Sequence, residues 1–397
     1  MNDTASGEVV LVRWGEIFLK GDNRGFFERG LMDNARRAVK RIEGARIDRT
    51  HGRLVVWPGE GGARRVVRAL ERVFGVSSLS TARVMARDVE LITAAAVELA
   101  RAEAPRHVHP SFKIETRRSD KRFPTRSMEV SRIVGAAVAS ELSLPVDVHT
   151  PAFTVGVEIG YERAFVYCEV VPGPGGLPAG VTGKVELLLS GGIDSPVAGW
   201  LMLKRGCSLG ATYFHSFPYT GDKTQDKVVR LAAQLAGWQL APLRLVVVPF
   251  TDAQKALRDA SGDGRLAVVL YRRMMLRIAA RVAEKGHASA LVTGEALAQV
   301  ASQTLENLGV IGAATTMPIL RPCLGHDKQE TIVMARRIGT YETSIEPYDD
   351  CCSLFVPEHP ETRARLEVVQ EIEARLDIAQ LADDCFRRVQ VMKVKPV

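Results

Sequence analysis

Cysteine is scarce in this chain: six in 397 residues, and no two form a CxxC pair. A disulfide-stapled scaffold or a structural zinc site is therefore not expected, and a reduced, cytoplasmic setting is the default. Aromatic residues are few, at 6%. No apolar run approaches the roughly 20 residues that cross a bilayer. The opening MNDTASGEVVLVRWGE carries acids instead of a basic segment, so no secretory leader is expected. Internal repeats and low-complexity tracts are missing. So are two common phosphate-binding signatures, GxxxxGK[ST] and GxGxxG.

What remains has globular composition, 46% apolar and 25% charged, in a chain long enough for two or three domains of ~150 residues. The formal charge of +7 is uneven. Residues 1–183 hold 27 Lys/Arg against 22 Asp/Glu, a net +5, and the remainder 26 against 24, a net +2. That bias suits a solvated surface as readily as nucleic acid.

The stretch 171–183, VPGPGGLPAGVTG, is too rich in Pro and Gly for a helix or central strand. It marks a linker over 173–183. Before it, strands interleave with helices, and a division near 74–80 gives expected α+β domains at 1–76 and 77–172. In the first, FFERGLMDNARRAVKRI reads as an amphipathic helix with Phe27, Leu31 and Ala35 on one side. In the second, helices are expected around 89–103 and 125–142, with strands at SFKIETR, FTVGVEIG and RAFVYCEVV. Residues 184–397 alternate more regularly: apolar strands such as KVELLLS, GATYFHS, LRLVVVPF and ASALVTG each precede a helical stretch, including one expected over 296–308. This pattern predicts a doubly wound parallel sheet, whose ligands sit beyond the carboxyl ends of its strands.

The first of these strands runs into Ser190-Gly191-Gly192-Ile193-Asp194-Ser195. Two glycines allow a sharp turn close to a ligand. Ser195 is expected to cap the next helix, with Pro196 at its first position. The helix amino end would then face the loop and favour an anion, phosphate above all.

SGGxDS after a hydrophobic strand resembles the PP-loop of the ATP pyrophosphatases. Further stretches narrow the likeness: TGEALAQVASQTLENL (293–308), RPCLGHDKQETI (321–332) and PYDDCCSLFVP (347–357) are similar to those of the tRNA 4-thiouridine synthetases, or tRNA sulfurtransferases. RWGEIFLKGDNRGFFE (13–28) resembles their ferredoxin-like domain, and FKIETRRSDKRFP (112–124) their THUMP domain. The fold implied is a ferredoxin-like domain, a THUMP domain and a PP-loop ATP pyrophosphatase domain. The likeness spans nearly the whole chain and is closest to short members without a rhodanese domain.

The resemblance implies roles for particular residues. Leu188, Leu189, Ser190, Gly191, Gly192, Ser195, Tyr213, Phe214, Arg272, Gly294 and Gln303 would contact ATP; Arg272 has Arg273 beside it. Asp194 would be the catalytic carboxylate. A carboxylate beside phosphates repels them unless a cation intervenes, so Mg²⁺ is implied with the ATP, touched by Asp194 and by no dedicated cluster of protein ligands. Lys328 would stabilise charge during adenylation.

Exchanging a carbonyl oxygen for sulfur needs a leaving group, supplied by AMP, and a soft nucleophile, supplied by a cysteine persulfide. The functional cysteine would be Cys352 or its neighbour Cys351, loaded by a separate cysteine desulfurase; Cys351, Cys207 and Cys323 are candidates to resolve the disulfide left behind. Residues 113–132 hold seven basic residues against three acids. In the light of the THUMP likeness, Lys113, Arg117, Arg118, Lys121 and Arg122 would grip the acceptor end of tRNA, with a homodimer implied. No RNP-type aromatic pattern occurs, so recognition of folded RNA by shape fits better than reading of a single strand. The expected reaction is ATP-dependent conversion of tRNA uridine 8 to 4-thiouridine. Sulfur transfer to the ThiS carrier protein for the thiazole of thiamine is a second expected role. The rival readings are a non-catalytic tRNA-binding protein and a PP-loop tRNA modifier without sulfur chemistry.

Overall fold

In the computed structural model, which describes residues 7–50, 52–348 and 357–396, the chain gathers into two units, Met1–Leu177 and Pro178–Val397. The first contains β1 (Gly7–Trp14), α1 (Arg24–Val39), β2 (Arg46–Thr50), β3 (Arg53–Trp57), α2 (Gly62–Leu70), β4 (Val76–Met85), α3 (Val89–Glu103), β5 (Phe112–Arg118), α4 (Ser127–Leu142), β6 (Phe153–Ile159), β7 (Ala164–Tyr167) and β8 (Val171–Pro172). Among the described residues the strands form one sheet in the order β2-β3-β1-β4-β7-β6-β5, with β8 beside β4. Four consecutive residues of β1, Val9, Val10, Leu11 and Val12, are fully buried, as a central strand covered on both faces requires. β4 is the long member: it pairs with β1, β7 and β8 along its ten residues. Leu31 and Ala35 of α1 are buried as expected, while Phe27 is half-buried. β2 was not expected, because RIDRT has no apolar alternation; it is an edge strand with no buried residue, paired with β3.

One charged cluster is buried in this sheet. Glu158 of β6 accepts hydrogen bonds from Arg13 Nε (2.8 Å) and the Tyr167 hydroxyl (3.0 Å), and is also paired with Arg53. Burial pushes the Arg53 guanidinium down to about 10. The cluster ties β1 and β3 to β6 and β7, and neither charge sign is left unanswered.

The second unit contains β9 (Lys184–Leu188), α5 (Asp194–Lys204), β10 (Ser208–His215), α6 (Asp222–Gln239), β11 (Leu243–Pro249), α7 (Thr251–Ala260), α8 (Ala267–Lys285), β12 (Leu291–Val292), α9 (Leu305–Gly312), β13 (Ile319–Leu320), α10 (Lys328–Ile338), α11 (Tyr341–Ser344), α12 (Leu366–Glu373), α13 (Ile378–Arg387) and β14 (Gln390–Val394). Its sheet runs β13-β12-β9-β10-β11-β14. The first five strands are parallel. From β9 the chain builds outward to β10 and β11, then returns to the other side for β12 and β13. The order therefore reverses at β9, and a crevice opens at its carboxyl end. Two features differ from the expected pattern. β14 adds an antiparallel edge to the parallel sheet; QVMKV is mostly exposed, so no buried apolar run announced it. Residues 296–308 do not form one helix. Ala298 has φ 59°, a left-handed backbone that breaks the run; a 3₁₀ turn occupies Ala301–Gln303, and Thr304 then caps α9.

Charged groups also lie inside this unit. Glu186 of β9, fully buried, accepts from Arg244 (2.7 Å) and Thr212 (2.8 Å). Arg273 of α8 is 1% exposed and holds Glu373 of α12 by two parallel hydrogen bonds of 2.8 and 2.9 Å, with Arg277 adding two more. Burial works to raise the Glu373 carboxyl, yet the two arginines hold it down at about 2, against an ordinary 4.5. A depressed carboxyl stabilises the fold above its unfolded pKa, and that stability is lost as pH falls through the folded value. Between pH 4.5 and 2 the second unit is expected to lose about 3 kcal/mol from this group alone. Glu373→Gln is expected to be less stable at neutral pH and to lose about 3 kcal/mol less over that window. Urea unfolding followed by amide exchange in α8 checks both.

Candidate active site

The loop after β9 is closed by its own serines. The Ser190 backbone N–H donates to Ser195 Oγ (2.9 Å), the two hydroxyls lie 3.0 Å apart, and Gly192 N–H donates to Ser190 Oγ (3.2 Å). The expected cap is therefore corrected. α5 begins at Asp194, Ile193 occupies the cap position with helical backbone (φ −72°, ψ −36°), and no side chain caps it. Ser195 is the second helical residue and Pro196 the third. The Ser195 oxygen is turned back into the loop, so it cannot cap. The result still favours an anion: the amino end of α5, with its dipole, faces the loop without a side-chain cap.

Beside the loop lies a cavity of about 200 Å³. Leu188, Leu189, Ser190, Asp194, Ser195, Tyr213, Phe214, Arg272, Gly294 and Gln303 all line it, with Met275, Leu276, Thr293, Glu295 and Ile311. Of the residues expected at a nucleotide, only Gly191 and Gly192 are outside this lining; they form the turn at its edge. Gly294 has a steric duty: a Cβ there would come within 2.6 Å of the Ser195 nitrogen and 2.7 Å of the Asp194 carbonyl carbon. Only glycine lets the chain leaving β12 lie against the start of α5. Gln303 is buried, and its Oε1 has no hydrogen-bond partner.

The structure separates the two adjacent arginines of α8. Arg272 lines the cavity, while Arg273 is buried against Glu373. Arg272 donates to Glu295 Oε1 (3.0 Å), and Arg321, following β13, donates to Glu295 Oε2 (2.6 Å). Thr293 adds a bond to the same carboxylate (2.8 Å). Glu295 and Arg321 were not expected at the site. They follow β12 and β13, the strands on one side of the reversal point, and that placement is the signal that could have found them.

Asp194 and Lys328 meet. Lys328 Nζ lies 3.0 and 3.2 Å from the two carboxylate oxygens, and Gln299 Nε2 donates to Oδ2 at 3.2 Å. Lys328 is the first residue of α10, whose start is fixed by a reciprocal cap between Asp327 and Glu330. On the other side of α10, Ser344 donates to the Gly192 carbonyl (3.2 Å). Cys351 and Cys352 lie outside the described residues. The chain before them is tied to the loop through Ser344. The chain after them is tied to the cavity's other wall: Thr304 donates to Thr362 O (2.7 Å) and Asn307 to Glu361 O (2.8 Å). Of the other candidate thiols, Cys207 is buried, and Cys323 is fully buried with its sulfur 3.9 Å from the Asp194 carbonyl. Burial pushes the Cys323 thiol up to about 12, which keeps it protonated and poorly nucleophilic.

In the first unit, the five basic residues expected at RNA lie on β5 and the loop after it. Lys121 and Arg122 are exposed and Lys113 is half-buried. Arg117 is exposed and pairs with Glu115 (2.7 Å), and Arg122 pairs with Asp120 (3.0 Å). Arg118 is half-buried and donates to the carbonyls of Phe123 and Thr125, so it shapes the loop.

Sheet order, closed serine–glycine loop and cavity define a PP-loop nucleotide-binding unit. Comparison with known proteins agrees. The family description "Thiamine biosynthesis protein (ThiI)" matches residues 180–378, "ThiI ferredoxin-like domain" residues 9–80 and "THUMP domain" residues 86–169. The chain is 45% identical over 378 residues to a "Probable tRNA sulfurtransferase" of Caldanaerobacter subterraneus subsp. tengcongensis, covering 95% of this chain and 97% of that one. A protein of the same name from Moorella thermoacetica is 45% identical over 388 residues, covering 98% of each. Among solved structures, "Crystal structure of a 4-thiouridine synthetase - RNA complex with bound ATP" superposes with a TM-score of 0.88 at 36% identity, covering 98% of this chain and 100% of that one. The chain belongs to the tRNA sulfurtransferase family.

Two glycines test the packing argument in opposite directions. Gly294→Ala is expected to cost about 1–3 kcal/mol through overpacking against α5. Gly309→Ala, in α9 with nothing near its added methyl, is expected to stabilise by about 0.5–1 kcal/mol. Urea unfolding of both variants beside the wild type measures the pair.

Proposed function

We propose that the protein is an ATP-dependent tRNA sulfurtransferase that converts a tRNA uridine, position 8 in the family, to 4-thiouridine. The observation carrying this is the convergence of Asp194, Lys328 and the uncapped amino end of α5 on one cavity mouth. ATP would lie with its adenine in the cavity lined by Leu188, Leu189, Tyr213 and Phe214 and its phosphates on the loop 190–195. The uridine C4 oxygen attacks the α-phosphate and pyrophosphate leaves. Lys328 and the amino end of α5 stabilise the charge that develops there. A persulfide on Cys352, or on Cys351, then attacks C4 and displaces AMP. A magnesium ion with the nucleotide fits the donor set. Among the described residues no cluster of three or more His, Cys, Asp or Glu could hold a metal, so Asp194 would share the ion with phosphate oxygens, as Mg²⁺ prefers. The ion would supply charge neutralisation.

The first unit, divided near residue 76 into ferredoxin-like and THUMP parts and joined by the linker 173–183, would hold the tRNA acceptor end. Lys113, Lys121 and the side chains of Arg117 and Arg122 face phosphates, with Arg118 shaping their loop. A cysteine desulfurase would load the persulfide; with Cys207 buried and Cys323 buried and protonated, Cys351 or an external reductant is left to resolve the disulfide. A homodimer and a cytoplasmic location accompany the reading, and no helix among the described residues is long and apolar enough to cross a membrane. Transfer of the same sulfur to ThiS would use the same adenylating site.

Asp194→Ala is expected to lower thiolation at least 10³-fold, a loss typical of a lone catalytic group. Cys352→Ala is expected to abolish thiolation. Both should leave tRNA affinity within twofold. Mass spectrometry of tRNA nucleosides after incubation with ATP, Mg²⁺, cysteine and a desulfurase reads the product, and filter binding the affinity. Full thiolation by either variant removes that residue from its role, and absence of any sulfur-containing nucleoside with wild type removes the reaction.

A further inference from the structure

β10 does not stop at the cavity wall. Its alternate residues Tyr213 and His215 are followed by Phe217, and the three rings form a row. Tyr213 and His215 are stacked with centroids 5.8 Å apart, and His215 and Phe217 lie 6.3 Å apart at 52°. Exposure rises along the row: Tyr213 is 1% exposed, His215 half-buried and Phe217 62% exposed. Tyr219, two residues on, is 48% exposed, with the Lys255 ammonium 5.2 Å from its ring centre.

The turn bearing these rings is firmly held. Ser216 and Thr220 are buried at its base, where Thr220 N–H donates to Ser216 O (2.9 Å) and Ser216 N–H to Thr220 Oγ1 (3.1 Å). Ser216 Oγ donates to Gln254 (2.7 Å) and Thr251 Oγ1 to the Phe217 carbonyl (2.7 Å). A single exposed apolar side chain needs no explanation. Here two aromatic rings within three residues are held in water by a braced turn. Phe217 is joined through His215 by ring contacts to Tyr213 in the wall of the nucleotide cavity.

We infer that Phe217 and Tyr219 are a stacking platform for the nucleobase that the enzyme modifies. The inference rests on the tRNA-thiolation reading and adds where the base is received. An edge atom such as C4 of a uridine is reached only when the base leaves its own stack, and an extruded base loses its stacking partners. Exposed aromatic faces replace those partners without regard to sequence. Tyr213 and Phe214 are buried in the cavity wall, whereas Phe217 and Tyr219 are exposed, where a macromolecular substrate can reach them. Lys255 beside Tyr219 and Lys223, exposed in the first turn of α6, supply charge for the adjoining phosphates.

The test uses the full-length enzyme with tRNA varied at saturating ATP. Phe217→Ala is expected to raise the tRNA KM about tenfold and leave the ATP KM unchanged, as loss of one stacked base predicts. Phe217→Trp is expected to restore it, and Phe217→Leu, apolar without a π face, is expected to behave as Ala. Product tRNA carrying 4-thiouridine, irradiated in the near ultraviolet, is expected to cross-link to the peptide containing Phe217 and Tyr219. An unchanged tRNA KM in the Ala variant, or a cross-link elsewhere, overturns the platform. So does a rise in both KM values that Trp does not rescue, since that marks a structural role. Wild-type enzyme that forms no thiouridine brings down the functional reading itself, an outcome distinct from these.

Discussion

The second unit depends on how one carboxylate is held at the amino end of one helix. Asp194 opens α5, where its charge answers the helix dipole, yet it stands where an anionic ligand would bind. Lys328 resolves the conflict by reaching both carboxylate oxygens, and Gln299 takes a further lone pair. Gln299 and Lys328 lie 105 and 134 positions along the chain from Asp194. The fold around them reads as a means of bringing α5, the irregular stretch after β12 and the start of α10 together. Gly294 permits the closest of these approaches, because any side chain there would enter the α5 backbone.

Charges away from the cavity act as framework. Glu186 of β9 is buried, held by Thr212 of β10 and Arg244 of β11, and burial raises its carboxyl against the pull of Arg244. Glu373 goes the opposite way because two arginines grip it. Arg272 and Arg273 show how one helix serves both purposes. α8 is buried on most of its surface, so successive residues can face the cavity and the packing interface with α12. Hydrophobic periodicity misleads here, because Arg273 shares a stripe with Arg277, Arg281 and Glu284 yet is buried against Glu373, while Arg272 lies off that stripe and lines the cavity.

The loop and its strand–turn–helix setting were legible in the sequence because they are local: six residues close on one another through Ser190 and Ser195. The parallel character of the second sheet followed from regular alternation of apolar runs and helices. What escaped was set by contacts distant in sequence. The stretch 296–308 has helix-forming composition, but Ala298 adopts a left-handed backbone, and the Asn307 carboxamide bonds both Ala301 O and Glu361 O. Those tertiary bonds outweigh local propensity and deliver Gln299 and Gln303 to the site. The edge strands β2 and β14 escaped for a simpler reason: they bury too little to carry a period-two pattern.

The pairing of Asp194 with Lys328 also bears on why a lysine is needed. On the proposed reading, phosphates and their cation arrive where the ammonium now sits. A cation and phosphates entering there would compete with the ammonium for the space in front of the two carboxylate oxygens. On that reading the ammonium would turn from the carboxylate toward the phosphoryl oxygens as the nucleotide is loaded. A compact charge on a flexible stem can make that transfer by rotation, whereas a planar guanidinium would bind the carboxylate as a fork and resist leaving it. The capped start of α10 fixes the lysine backbone and leaves the side chain as the moving part. The same residue can thus hold the carboxylate before loading and stabilise the charge that builds on the phosphoryl group afterwards.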